Sequence, residues 1–305
     1  MKKIILLLSG LFLLQLSTYA QDESIFTHYN VTPVLINPSA AGFNETHDLQ
    51  LNARATWSGF ADAPKTIAAQ YNGPLGDNFG IGLGISSETA AQMQRLRAHL
   101  NYAFRFDVSE KVKLSAGFQM QYQELTLDPA VMDNPFFIPN EETVMNFLSG
   151  EGRFDAALAA FSTFNENTTV GLTFTNLVRG HLSPEEQNEP ILKHYMFYVA
   201  HRFAAPDESF VFEPSVLIRN VRDVPSQVDI NLKASFLQEQ LTAGLSYRSL
   251  GSLGLLLGTR LSDFQLYYTY DLFFQDFQQY NDGSHEVTVL FSFERKEKSN
   301  RQRRY

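Results

Sequence analysis

The chain contains no cysteine among its 305 residues. Disulfides, thiolate metal sites, cysteine nucleophiles and a lipid-modified cysteine at an export cleavage point are therefore excluded. Tryptophan occurs once and charged residues make up only 19%. The formal net charge of −9 gives no nucleic-acid signal. After residue 20 no apolar run approaches the roughly 20 residues of a membrane-spanning helix. Seven histidines are scattered, none in an HExxH pair, and His194 and His201 would point to opposite faces of one strand. No Gly-x-Ser-x-Gly elbow is present. These absences predict no metal, no cofactor and no catalysis.

What is present begins with a targeting pattern. Lys2 and Lys3 precede the apolar run Ile4 to Leu16, and Thr18-Tyr19-Ala20 is a small-x-small site. Residues 1–20 read as a secretory signal, with Gln21 as the expected first residue after cleavage. An exported chain without spanning helices is either soluble or a β-barrel.

The remainder alternates with period two. In HEVTVLFSFER (His285 to Arg295), Val287, Val289, Phe291 and Phe293 are apolar, while Glu286, Thr288, Ser292 and Glu294 are polar. Leu49 to Trp57, Phe79 to Ser86, Leu96 to Phe106, Val112 to Tyr122, Val228 to Phe236 and Leu241 to Tyr247 repeat that pattern. Fourteen such segments are expected: 47–57, 65–73, 78–86, 93–106, 111–126, 152–162, 167–178, 192–204, 209–220, 226–236, 240–248, 253–260, 263–272 and 285–294. An even count of strands near 9–11 residues suits a single-chain outer-membrane barrel.

The connections sort by parity. Even-numbered ones are short (GPLGD, DVSEK, FNEN, APDE, LQE, LS), whereas 127–151, 179–191 and 273–284 are long. Short turns at one end with long loops at the other are the outer-membrane pattern, and a soluble sandwich has no reason to sort its loops this way. The predicted fold is an all-β, transmembrane, antiparallel up-and-down barrel over 47–294. It is preceded by a segment at 21–46 and followed by a basic periplasmic tail at 295–305. Segment 21–46 carries Ile25, Phe26, Tyr29, Val34, Leu35 and Ile36, too apolar to stay free in water. Pro33 and Pro38 bar a regular helix there. The barrel lumen and a partner protein are the two places where it could bury that surface.

The run FTHYNVTPVLINPSAAG, then RATWSGFADAPKT, then GIGLGIS resembles the start of the PorP/SprF family. Phe26, Tyr29, Pro33, Asn37, Pro38, Ala41 and Gly42 match its opening, and Trp57, Gly59, Ala63, Pro64, Lys65 and Thr66 match its second motif. Ser39 stands where alanine is common. The resemblance implies a Bacteroidetes outer-membrane component of type IX secretion, in some members connected with gliding motility. Its implied partners are the periplasmic ring or translocon, or a secreted protein with a C-terminal sorting domain, alongside outer-membrane lipid.

Candidate plug or partner-binding residues are Phe26, Tyr29, Pro33, Asn37, Pro38, Trp57, Pro64 and Lys65, with Phe136, Phe137, Phe273 and Phe274 on outer loops. Inward charges such as Arg54, Arg105, Arg153, Lys233 and Arg248 could face Asp155, Glu213, Asp229, Asp271 and Glu286, making an ion-paired interior or a selective pore. The rival reading is a channel for hydrophobic small molecules, for which Asn37-Pro38 is a loose match and a polar lumen a poor one.

Overall fold

The structure is a computed structural model. It describes residues 26–133, 141–178, 194–220, 226–249, 251–274 and 282–294. The signal-like stretch, the basic tail, Phe136 and Phe137 lie outside these residues.

Fourteen antiparallel strands follow one another around a closed sheet. They are β1 (Thr46–Ala55), β2 (Lys65–Pro74), β3 (Phe79–Ala90), β4 (Met93–Ser109), β5 (Val112–Leu127), β6 (Glu151–Phe164) and β7 (Thr168–Phe174). After them come β8 (Tyr195–His201, continued past Arg202 by Phe203–Ala204), β9 (Phe210–Asn220), β10 (Gln227–Phe236) and β11 (Leu241–Arg248). The last three are β12 (Ser252–Leu261), β13 (Phe264–Phe273) and β14 (Ser284–Glu294). β14 pairs with β1 from Thr46↔Glu294 to Ala55↔His285, so the sheet closes and no edge is left to pair with another chain. Every predicted segment is matched by a strand.

The polarity is inverted relative to a soluble protein. On β1, Leu49 and Leu51 face outward and are exposed, while Gln50, Asn52 and Arg54 point in and are buried. On β14, Val287, Phe291 and Phe293 are exposed, and Glu286 and Thr288 are fully buried. Lipid accounts for such a greasy exterior. Aromatic pairs ring both ends of the belt. Phe79–Phe104, Phe210–Phe236 and Phe264–Phe291 lie toward the short turns. Tyr122–Phe154 and Tyr270–His285 lie toward the long loops.

Both ends of the barrel segment, Thr46 and Glu294, emerge at the short-turn end. One long connection is not plain loop: Glu142–Ser149 forms a two-turn helix, α1. Eight residues are too few to show a helical period in the sequence, which is why none was expected there.

The compact core is inside the barrel, between the wall and the N-terminal segment. Val34, Ala40, Ala41 and Phe43 pack on Ala103 and Phe161. Tyr29 and Ile36 pack on Tyr198, Ala200 and Leu217.

Candidate functional site

Residues 26–45 run through the lumen as three short 3-10 turns, Thr27–Asn30, Pro33–Leu35 and Pro38–Ala40. Pro33 and Pro38 each open a turn, where a missing N–H costs nothing. Two anchors fix this segment to the wall.

The first anchor grips Thr27 to Tyr29 with charge. Glu286 accepts from the Thr27 N–H at 2.8 Å and the His28 N–H at 3.1 Å. Its other contacts are the Arg54 guanidinium at 2.9 Å and the His28 ring Nδ1 at 3.0 Å. Arg54 also reaches Asp271 at 2.8 Å. Arg248 stands 3.6 Å from Asp271 and 3.8 Å from Asp229. Both arginines donate to the Thr27 hydroxyl, at 2.7 and 2.6 Å. The Tyr29 hydroxyl accepts from Asn231 at 2.9 Å and meets Tyr198 edge-on. Six strands, β1, β8, β10, β11, β13 and β14, thus converge on three consecutive residues.

His28 is fully buried, with the hydroxyls of Thr288 and Thr269 at 2.6 and 2.7 Å from its two ring nitrogens. Burial holds its pKa below the usual 6.5, against the opposing pull of Glu286. The sign follows directly. An undocked His28 takes up a proton below about pH 6.5, while the docked ring resists it, so docking is strongest above that value and weakens as pH falls through it. Hydrogen exchange of residues 27–30, corrected for intrinsic rates, is expected to be faster at pH 5.5 than at pH 7.5. His28→Gln should flatten the difference. Equal protection at both pH values in the unaltered chain contradicts the assignment.

The second anchor uses the backbone. Asn37 donates to the carbonyls of Ala160 and Leu172 at 3.0 and 3.3 Å, on β6 and β7. Its own carbonyl accepts from the Ser39 N–H at 3.0 Å. Thr173 donates to the Ile36 carbonyl at 2.9 Å. Farther on, Arg105 holds the carbonyl of Phe43 at 3.0 Å and that of Asp77 at 3.1 Å. Inward-facing glycines let the segment come this close. A Cβ on Gly80 would stand 1.9 Å from the Ala41 carbonyl oxygen, and one on Gly117 would stand 2.7 Å from the Ser39 Cα.

The candidate residues divide into two groups. Phe26, Tyr29, Asn37 and Pro38 are buried inside the lumen, with Pro33 half-buried beside them. Trp57, Pro64, Lys65, Phe273 and Phe274 lie at the long-loop end. There the Trp57 ring meets Phe273 edge-on at 6.2 Å, and the Trp57 backbone N–H donates to the Ser284 hydroxyl at 2.9 Å. Thr56 donates to the Pro64 carbonyl at 2.9 Å, closing the loop base, while Lys65 and Phe274 are exposed. Sequence reasoning passed over Thr27, His28 and Asn231, and the convergence on Thr27. The available signal was Glu286, an acid set between the hydroxyl residues Ser284 and Thr288 on the polar face of its strand.

The segment leaves a cavity on each side. One, of about 370 Å³, opens among the short turns. The other, of about 160 Å³, lies toward the long loops and is bounded by Phe26, Asn37, Arg97, His99 and Gln121. Among the described residues no group of three or more His, Asp or Glu could hold a metal.

Residues 18–291 match the family described as Type IX secretion system membrane protein PorP/SprF. The chain belongs to that family. As a PorP/SprF protein it is an outer-membrane component of type IX secretion. No curated protein matches it in sequence. Among solved structures it is similar to the CymD monoaromatic hydrocarbon channel, with a TM-score of 0.54 and 10% identity, over 90% of this chain and 95% of that one. It is also similar to Omp33 of Acinetobacter baumannii, with a TM-score of 0.49 and 7% identity over 82% and 98% of the two chains. A FadL homologue of Pseudomonas aeruginosa gives 0.47 and 11% over 84% and 91%. At such identities the likeness to CymD shows the barrel fold alone.

Proposed function

We propose that this PorP/SprF protein works by contact, without catalysis, docking components of type IX secretion at the outer membrane. In this reading the short-turn end faces the periplasm and meets the secretion machinery. The long loops, 127–151 and 273–284, hold a secreted surface protein on the other side. The observation that carries the reading is the occupied lumen. With residues 26–45 hydrogen-bonded to the wall, the rims are the surfaces left for recognition. Exposed apolar groups on the loops, Phe274 and Met145 among them, support a protein contact there.

Gentle affinity purification from native outer membranes, followed by mass spectrometry, tests the proposal. The expected companions are subunits of the secretion machinery or one large surface protein with a C-terminal sorting domain. Deleting 128–150 should release the surface protein while the barrel keeps its heat-modifiable gel mobility. A clean barrel carrying only lipid or an apolar small molecule would favour the hydrophobic-channel reading instead.

A further inference from the structure

The smaller lumenal cavity, about 160 Å³ on the long-loop side of the N-terminal segment, has two kinds of lining. Phe26, Leu35, Ile36 and Pro38 of the segment and Met196 of β8 supply apolar surface. The wall supplies polar groups that the protein leaves unanswered. The side chains of His99, Gln121 and Asn176 line the cavity and have no hydrogen-bond partner among the described residues. All three are half-buried, so their polar atoms can be reached. His99 and Gln121 stand opposite each other in the β4–β5 ladder. The His99 ring lies over Gly84, where a Cβ would come within 2.2 Å of it. One charge of each sign completes the wall, and both are in use. Asp155 accepts from the N–H groups of Ala156 and Val178, and Arg97 donates to Gln123 at 3.2 Å. A neutral imidazole and two primary amides each offer a donor and an acceptor. Set beside an apolar floor, they match a peptide group carrying an apolar side chain, which brings one N–H, one C=O and no charge. The cavity holds one such side chain, since sites for drug-sized ligands run to roughly 300–1,000 Å³.

We propose that this cup receives an uncharged peptide segment of the partner held on the long-loop side. One apolar side chain of that segment sits against Phe26, Leu35 and Met196, and its flanking peptide groups bond to His99, Gln121 and Asn176. The inference rests on the docking reading above and names the part of the barrel that reads the partner. It also gives residues 26–38 a second role. Besides filling the lumen they are the floor of a site, and the anchors at Thr27 and Asn37 hold that floor in place.

Two capped amino acids test it on the full chain in detergent, read by the NMR signals of the His99 ring, which His99→Gln identifies by their loss. N-acetyl-L-leucinamide carries two peptide groups and an apolar side chain, and N-acetylglycinamide carries the peptide groups alone. The leucine probe is expected to shift the His99 signals saturably with a dissociation constant of about 2 mM, the affinity that roughly a dozen non-hydrogen atoms give at ordinary ligand efficiency. The glycine probe should bind about tenfold more weakly or worse, the scale of burying a leucine side chain. Gln121→Ala combined with Asn176→Gly should weaken the leucine probe about tenfold and keep heat-modifiable mobility, because two hydrogen bonds go while the wall stays. Glycine is chosen at Asn176 because its φ is 57°. The same double variant should retain several-fold less of the secreted companion in the affinity purification. No saturable shift, equal affinity for the two probes, or full affinity in the double variant would overturn the proposal and leave the docking reading standing. A small molecule held so tightly in the native protein that the probe binds only after its removal would overturn it too. Failure of the docking reading shows separately, as a purification that recovers no protein companion, and it would take the proposed occupant with it.

Discussion

Glu286→Ala is expected to release the start of the N-terminal segment while leaving the barrel closed. Glu286 is fully buried and answers two backbone N–H groups, one guanidinium and one imidazole. Removing it strands the two amides and half of the charge facing Arg54. Breaking a buried ion pair typically costs 3–5 kcal/mol, and about 3 kcal/mol is expected here because Asp271 still holds Arg54. The strand itself loses no ladder hydrogen bond, since β14 pairs with β1 and β13 through its backbone. Chymotrypsin reads the outcome. Phe26 and Tyr29 are buried in the unaltered protein and should resist cleavage, whereas the variant should be cut after Tyr29 and keep heat-modifiable mobility. Protection equal to that of the unaltered chain would mean that the charge cluster does not anchor the segment.

The second large effect comes from adding one carbon. Gly80→Ala places its Cβ 1.9 Å from the Ala41 carbonyl oxygen and 2.8 Å from the Ala41 carbonyl carbon. Both atoms belong to backbone, so no rotamer change relieves the overlap, and either β3 or the segment must move. Overpacking of this kind costs about 1–3 kcal/mol or more. Gly82→Ala is the matched control two residues along the same strand. The three atoms nearest its added carbon belong to the Asn101 side chain, at 3.1 Å and beyond, so a small adjustment of a few tenths of an ångström accommodates it. Gly80→Ala should therefore expose the segment to protease and Gly82→Ala should not. Identical behaviour of the two would remove the close approach at Ala41 from the account.

The barrel was legible in the sequence for a simple reason. A strand with lipid on one side and polar lumen on the other writes its two environments on alternate residues. Leu49, Leu51 and Ala53 against Gln50, Asn52 and Arg54 is that record. The sorting of loops by parity added the closure. The lumenal contacts were not legible, because they join residues that no local pattern relates. Thr27 and Glu286 are 259 positions apart, and His28 and Thr269 are 241 apart. Apolar residues at 25–36 said that the segment must be buried, yet the same residues would serve against a partner protein. Nor could alternation tell which inward charges meet. Arg54 with Glu286 and Asp271 required the register of three strands. Asp155, read as a possible ion-pair partner, instead accepts from the backbone N–H groups of Ala156 and Val178. Arg153, read as pointing inward, pairs with Glu151 and is 43% exposed. Helix α1 left no trace because a two-turn helix is shorter than the window in which a period shows.

In the proposed reading the N-terminal segment shuts the barrel lumen and function resides at the rims. Ion conductance across a planar lipid bilayer tests it most directly. The unaltered protein should insert without stable channel openings, and the same chain with residues 26–44 replaced by a short Gly/Ser linker should conduct steadily. Steady conductance by the unaltered protein, equal to that of the replaced one, would contradict the account and return the chain to the channels whose fold it shares.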